Sequence, residues 1–150
     1  QCLGDGTDYD SIVRTGGNPL PTKEALDILI LEATKKRQWQ EIKDTRDRYK
    51  FGGVKVGDLW FHSDDTSRIQ QLGLLALGVN LQPGILWKTM TGSFVEMTPA
   101  LAQQIFLTTA VSDLRIFKKA EEKRLEMLAS SNPSQYDSAT GWPITFEEAL

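Results

Sequence analysis

Cysteine and histidine are almost missing from this chain of 150 residues, which contains one of each. A lone cysteine, Cys2, can form neither an internal disulfide nor a cysteine-based zinc site. Zinc sites draw three or four ligands from cysteine, histidine and carboxylate side chains, so the single His62 has too few partners of the right kind. The sequence therefore excludes a disulfide scaffold and predicts no metal and no other cofactor.

Long apolar runs and an excess of positive charge are missing too. The longest apolar stretch, around residues 74–81, is interrupted by Gly78 and Asn80 and is shorter than the ~18 residues of a membrane-spanning helix. The net charge is −3, whereas nucleic-acid-binding domains usually present a basic face. Apolar residues at 40% and charged residues at 25% are instead typical of a globular domain. The sequence therefore predicts neither a membrane nor a nucleic-acid partner.

Two long helices frame the predicted fold. The first should begin at Thr22, which can act as N-cap, and run to about Lys50, with apolar side chains spaced at three, four and seven. The second should begin at the Thr98 cap and Pro99 and continue to about Ser130. That helix would be ~48 Å long, more than a compact body of this size can wrap. Its charged half must pair with the first helix or with another subunit, and we predict that the two long helices pack antiparallel.

Two β-hairpins and a short helix are predicted between the long helices, which gives an α+β fold. In VKVGDLWF a two-residue loop, Gly57-Asp58, separates two β-prone runs. In ILWKTMTGSFVEM a three-residue loop ending in Gly92 places Trp87 opposite Val95. One face of this hairpin then carries Ile85, Trp87, Val95 and Met97, and the other carries Lys88, Phe94 and Glu96. Such separated faces favour this register, because a slip by one residue would mix them.

The two ends of the chain differ in composition from the middle. Residues 1–21 are rich in Gly, Asp and Thr, which is typical of an extended arm or linker. Residues 22–130 form the single α+β domain, and residues 131–150 form a turn-rich tail that should dock. The aromatic side chains of the tail are the candidates for binding a partner: Tyr136, Trp142 and Phe146. We expect the central fold to remain intact when both extensions are removed.

The stretch FHSDDTSR contains the only histidine and is the strongest candidate for chemistry. His62, Asp64 and Asp65 are possible metal ligands, but the stretch lacks the spacing, the glycine and the distal glutamate of a calcium loop. Ser63 is adjacent to the histidine and is not positioned to be its nucleophile. A structural interpretation explains more. Ser63 or Asp64 caps a helix, and Arg68 reaches back to a carboxylate or across to the neighbouring hairpin. We predict no catalytic residues.

The chain resembles a family of domains of unknown function that recurs in the tail genes of tailed bacteriophages and prophages. The resemblance rests on three motifs in one order, GGVKVGDLWFHSDDTSRIQQL, WKTMTGSFVEMTPALAQQIF and AEEKR. It covers about residues 36–130 and leaves out the first 20. Members are commonly labelled tail fibre, tail fibre assembly or tail protein, and the family has no established catalytic residues. The resemblance implies a non-enzymatic structural component, associated with the tail fibre or baseplate, that contacts other tail proteins in the virion.

Two alternatives stay open. One is a tail-fibre assembly chaperone that acts in the host cytoplasm and leaves before the particle matures. The other is a small lytic or glycan-cleaving enzyme, which would need two carboxylates roughly 5 to 10 Å apart in a cleft. The candidate pairs, Asp64/Asp65 and Glu121/Glu122, are adjacent in sequence and should be solvated. We expect an oligomer or a multi-subunit complex, and a chain that begins with Gln1 is expected to be processed or part of a longer polypeptide.

Overall fold

A computed structural model of the chain describes residues 2–3, 13–14 and 21–150. The elements in order are β1 (Cys2–Leu3), β2 (Val13–Arg14), α1 (Lys23–Lys50), β3 (Val54–Val56), β4 (Leu59–Phe61), α2 (Asp65–Leu77), β5 (Leu86–Lys88), β6 (Phe94–Glu96) and α3 (Pro99–Ala129). Strands β1 and β2 pair antiparallel, and most of the predicted arm over residues 1–21 lies outside the described residues. The predicted α+β class, with two hairpins and a short helix between two long helices, is confirmed.

The two long helices pack antiparallel, as predicted. The guanidinium of Arg46 in α1 lies 4.8 Å from the ring centre of Phe117 in α3. Trp39, seven residues earlier in α1, has its ring 5.7 Å from the guanidinium of Arg124, seven residues later in α3. A step of seven residues toward the start of α1 thus corresponds to a step of seven residues toward the end of α3, and this defines an antiparallel alignment. When this alignment is extended to the last residue of α3, the end of α3 lies beside residue 34 of α1. The first turns of α1 therefore extend beyond α3.

Two clusters of buried side chains form the core. The larger joins both hairpins and the start of α3, and it contains Val54, Phe61, Leu81, Met97, Ala102 and Ile105. The smaller lies between α1 and α3 and contains Ile42, Ala120 and Met127, with Trp39, Tyr136 and Trp142 packed against it. None of the helices in residues 21–150 combines the length and the apolar character that crossing a membrane requires.

The second hairpin has the predicted register. Trp87 lies opposite Val95 in the β5–β6 pair. The Thr89 N–H donates to the Ser93 carbonyl at 2.8 Å, so the loop closes where predicted. Gly92 has φ +86°, a value that glycine adopts without the steric cost of a side chain. The apolar face packs on the larger cluster, whereas Phe94 on the other face is 64% exposed.

The hairpin faces can be tested with two aromatic variants. Trp87→Ala should lower the free energy of unfolding by about 2–3 kcal/mol, less than the ~3–5 kcal/mol of a fully buried tryptophan, because the side chain is only half-buried. Phe94→Ala is the matched control and should cost less than about 0.5 kcal/mol. Urea unfolding measures both values. Equal losses would contradict the assignment of the two faces.

The start of α3 is fixed by Thr98 and Pro99. The Thr98 hydroxyl accepts a hydrogen bond from the Leu101 N–H at 3.1 Å, and Pro99 occupies the first helical position, where its missing N–H has no partner to lose. Thr98→Ala should therefore cost about 1 kcal/mol of stability. Thr98→Ser, which keeps the acceptor, should melt close to the wild type. Thermal unfolding of both variants checks this, and an alanine variant as stable as serine would show that the cap contributes nothing.

Candidate interaction surfaces

Asp64 is the N-cap of α2, so the capping interpretation of FHSDDTSR is confirmed. Its carboxylate accepts the Ser67 N–H at 3.0 Å and the Ser67 hydroxyl at 2.6 Å. The hydroxyl bond, followed by the N–H bond, holds the pKa of Asp64 below its ordinary value. The His62 side chain is exposed, and the described part of the chain contains no group of three or more His, Cys, Asp or Glu side chains suited to a metal ion.

The lowered pKa of Asp64 predicts a pH-dependent contribution to stability. A carboxyl whose folded pKa is depressed stabilises the fold above its unfolded pKa, and this contribution disappears as the pH falls through the folded value. Asp64→Asn keeps a capping oxygen but not the charge. The wild type should therefore be more stable than Asp64→Asn at neutral pH, and the difference should shrink as the pH falls below 3.8, the ordinary value. Urea unfolding at both ends of this range checks the prediction, and a constant difference would contradict it.

Ser63 ties the end of α1 to the start of α2. Its side chain is fully buried. The hydroxyl donates to the Lys50 carbonyl at 2.8 Å and accepts the Gly53 N–H at 3.0 Å. Both groups lie where α1 ends and the first hairpin begins, so Ser63 satisfies backbone atoms that the helix leaves unpaired. This is a structural role, and it differs from the cap that the sequence suggested for Ser63.

Arg68 connects all three helices. Its guanidinium donates to both carboxylate oxygens of Asp113 in α3, at 2.6 and 2.9 Å. It also donates to the Lys50 carbonyl at 3.0 Å and to the Ser63 carbonyl. The expectation that Arg68 pairs with a carboxylate of its own stretch or with a hairpin was wrong, because the Asp113 carboxylate on α3 meets the planar fork of the guanidinium in two parallel bonds.

The carboxylates considered for glycan cleavage are engaged in local contacts. Asp64 is the helix cap described above, and Asp65 lies 4.0 Å from the Lys50 ammonium. Glu121 accepts from Arg124 at 2.7 Å. Glu122 lies 3.6 Å from the Lys119 ammonium. The contacts of Glu121 and Glu122 join neighbours on the exposed surface of α3, an arrangement typical of a solvated helix.

The three tail aromatics pack against the chain's own body. Trp142 stacks on Tyr49 of α1 with ring centres 5.4 Å apart. Tyr136 packs on the smaller cluster, and burial, together with its bond to Glu126, raises the pKa of its phenol. Phe146 lies 5.9 Å from the ring of Trp60. The structure thus gives all three an intramolecular contact, and their predicted binding of a partner stays a prediction.

Lys123 lies under the docked tail and was missed by the sequence analysis. The residue is only 5% exposed. Its ammonium donates to the Asp137 carbonyl at 3.0 Å and lies 5.6 Å from the ring centre of Tyr136 and 5.9 Å from that of Trp142. Aromatic faces attract a cation more strongly when it is desolvated. The sequence pattern that could have indicated its burial is the spacing of four residues on one face of α3: Ile116, Ala120, Lys123 and Met127.

The tail is also held at its far end. The Phe146 N–H donates to the Gly52 carbonyl at 2.8 Å. The Tyr49 hydroxyl donates to Glu148 at 2.7 Å. This bond lowers the pKa of the Glu148 carboxyl and raises the pKa of the Tyr49 phenol. Residues 131–150 therefore contact α1 or its end through both their first and their last turns.

Large apolar side chains remain exposed at the beginning of α1. The four consecutive residues Ile28–Leu31 are between 44% and 58% exposed, and we call them the apolar end of α1. They lie where α1 extends beyond α3. Consecutive residues of a helix point in different directions, about 100° apart, so these four cover most of its circumference. In soluble proteins, contiguous exposed apolar patches of more than a few hundred Å² often belong to interaction sites.

A second apolar surface is the groove between α2 and α3. It has a volume of about 250 Å³ and is lined by Ile69, Leu72, Phe106 and Ala110 together with Arg68 and Asp113. Ile69 and Leu72 are exposed, and they lie three residues apart on one face of α2. Further along α3, Leu107, Val111 and Leu114 are exposed too. Both faces of the helical body therefore offer apolar contact area.

Comparison with known proteins gives one match. The model of a family described as Domain of unknown function (DUF4376) matches residues 33–140, which is more than half of the chain and includes both hairpins, α2 and α3. The matched range ends within the docked tail, after Tyr136 and before Trp142. No curated protein and no solved structure matches the chain.

Proposed function

The chain belongs to the family described as Domain of unknown function (DUF4376). We propose that it is a non-enzymatic component of a bacteriophage tail, associated with the tail fibre or the baseplate. It acts through contacts with other tail proteins in the virion. The observation that carries the proposal is the exposed apolar surface of the helical body. A structural subunit needs such surfaces, because burial of apolar area is the main favourable term in protein association.

The distribution of the exposed apolar side chains supports a subunit with several neighbours. The apolar end of α1, the groove between α2 and α3, and the Leu107–Leu114 face of α3 lie at different places on the body. Monomeric proteins rarely expose apolar patches of more than a few hundred Å². A subunit inside a larger assembly covers such patches with its neighbours.

The association with phage tails is supported by the resemblance of the motif order. The motifs that carry the resemblance now have structural roles. GGVKVGDLWFHSDDTSRIQQL forms the first hairpin, the Ser63 link and the capped α2. WKTMTGSFVEMTPALAQQIF forms the second hairpin and the capped start of α3. These residues build much of the packed body of the domain, which suits a virion component whose function is contact.

Mass spectrometry of purified particles tests the proposal. The chain should be present in stoichiometric amount with the tail proteins, and it should be missing from particles assembled without tails. Cross-linking before the analysis should join it to a tail fibre or baseplate subunit. Absence of the chain from finished particles would overturn the structural role.

Co-expression separates this role from that of an assembly chaperone. A chaperone would increase the yield of folded tail fibre when both are expressed in the host cytoplasm, and it would be missing from finished particles. A structural component should leave the yield of folded fibre unchanged, and it should be present in finished particles. A chain that is present in particles and has no effect on the yield of folded fibre supports the proposal.

A further inference from the structure

A cavity of about 500 Å³ lies where the first hairpin, α3 and the docked tail meet, and we call it the basic groove. Side chains of all three elements line it: Lys55, Leu107, Val111, Arg115, Pro143 and Ile144. Leu107 is 53% exposed, Val111 46% and Ile144 69%. The basic groove is therefore an open surface with an apolar wall, and it shares none of its described lining residues with the groove between α2 and α3.

The charge of the basic groove is opposite to that of the chain as a whole. Lys55 and Arg115 are exposed, and no ion pair in the described part of the chain engages either of them. No carboxylate is among the described residues that line the cavity, although the chain has 20 acidic residues and 17 lysines and arginines. Two cations that line one cavity with apolar side chains are complementary to a ligand that carries carboxylates next to apolar groups.

The basic groove continues along α3 into a second cavity. Arg115 and Pro143 line both cavities, and the second, of about 240 Å³, is also lined by Lys118, Lys119 and Glu122. Glu122 is the only carboxylate among its described lining residues, so positive charge is in excess in both. Two cavities in succession fit an extended chain. A small-molecule pocket, in contrast, buries about 70–90% of its ligand, which a wall of exposed side chains does not do.

We propose that the basic groove binds an extended acidic peptide segment of a partner protein, in which carboxylate side chains are adjacent to aliphatic ones. The carboxylates pair with Lys55 and Arg115, since a guanidinium can donate two parallel bonds to a carboxylate. The aliphatic side chains pack on Leu107, Val111 and Ile144, and their burial favours association. A nucleic acid would leave this apolar wall without a partner, and the net charge of −3 opposes it.

The inference goes beyond the proposed function and does not depend on it. Peptide binding is measured with the purified full chain, whereas the tail role is measured in particles. A chain that is present in particles but does not bind the peptide would overturn the peptide site and leave the tail role standing. A chain that binds the peptide but is absent from particles would do the reverse.

Fluorescence anisotropy with labelled synthetic peptides tests the proposal. The probe is a peptide of about eight residues, at most ~28 Å long when extended, with two glutamate–leucine pairs among glycines and serines. It should bind the full chain with micromolar affinity. Replacing both glutamates by glutamine, or both leucines by serine, should each weaken binding about tenfold or more. A wild-type chain that does not bind the probe, or that binds the glutamate and glutamine peptides equally, would overturn the proposal.

Charge reversal in the protein tests the two cations. Lys55→Glu with Arg115→Glu should weaken binding of the glutamate peptide about tenfold or more. The melting temperature should not change, because both side chains are exposed. This variant should instead prefer a peptide with lysine in place of glutamate.

The matched control is Lys23→Glu with Lys36→Glu. It makes the same change in net charge at two exposed cations of α1 that do not line the basic groove, and it should bind the glutamate peptide like the wild type. A control that binds as weakly as Lys55→Glu with Arg115→Glu would overturn the proposal. So would a reversed chain that still prefers the glutamate peptide, or a single-stranded oligonucleotide that displaces the peptide.

Discussion

A chain that ends at Ser130 should melt about 10 °C or more below the full chain, because the loss of buried aromatic contacts costs about 3–5 kcal/mol in a domain of this size. The tail packs Tyr136 and Trp142 against the smaller cluster. Removing it exposes Ile42 and Met127, which are fully buried in the full chain. This is the largest change in stability that we expect from any single alteration of the chain.

The truncation also removes the contacts of Lys123 with the tail. In the full chain the Lys123 ammonium has the Asp137 carbonyl as acceptor and two aromatic rings within 6 Å. Without the tail it returns to water and the packing of its stem is lost. Residues 131–150 pack against the smaller cluster, so we expect their removal to lower the stability of the central fold, and that this fold remains intact without its extensions stays a prediction.

Thermal unfolding followed by circular dichroism measures the effect of truncation. A point variant in the full-length chain separates the loss of aromatic contacts from other effects of shortening the chain. Trp142→Ala removes the stacking on Tyr49 and should reproduce a large part of the loss. Ile144→Ala is the control, since this side chain is exposed in the same tail, and it should melt like the wild type. A truncated chain that is as stable as the full chain would show that the docked tail contributes no net stability.

The helices and hairpins could be predicted because their signals are local. Thr98 and Pro99 start a helix by hydrogen bonding and by backbone geometry within one turn. Gly57 and Gly92 fix two loops because their positive φ angles are set by the loop itself. The length of the last helix, which is also a property of the sequence alone, indicated that it needs a partner, either the first helix or another subunit.

The contacts that join these elements could not be predicted in the same way. Arg68 and Asp113 are 45 residues apart, and nothing in either neighbourhood indicates the other. Lys123 lies within a charged run and resembles its solvated neighbours until the docked tail covers it. The apolar end of α1 was included in the helix by its periodicity, but its exposure depends on where α3 ends beside it. In each case the deciding quantity is a tertiary distance.

Arg68→Met should lower the free energy of unfolding by about 2–4 kcal/mol, because it leaves the Asp113 carboxylate and the Ser63 carbonyl without this donor and removes one of the two hydrogen bonds to the Lys50 carbonyl. The Arg68 and Asp113 side chains are 18% and 24% exposed, so water compensates in part and the loss lies below that of a fully buried pair. Arg68→Lys should recover little, since an ammonium cannot reproduce the two parallel bonds to Asp113 and also reach both carbonyls.

A double-mutant cycle separates the ion pair from the carbonyl contacts. Asp113→Asn should cost less than Arg68→Met, because the guanidinium then keeps the carbonyls of Lys50 and Ser63 as acceptors. The two substitutions combined should cost less than their sum, since the second removes a group that the first has already left unpaired. Urea unfolding gives all four free energies. If Asp113→Asn costs as much as Arg68→Met, the carbonyl bonds contribute nothing, and Arg68 fixes α2 to α3 without securing the end of α1.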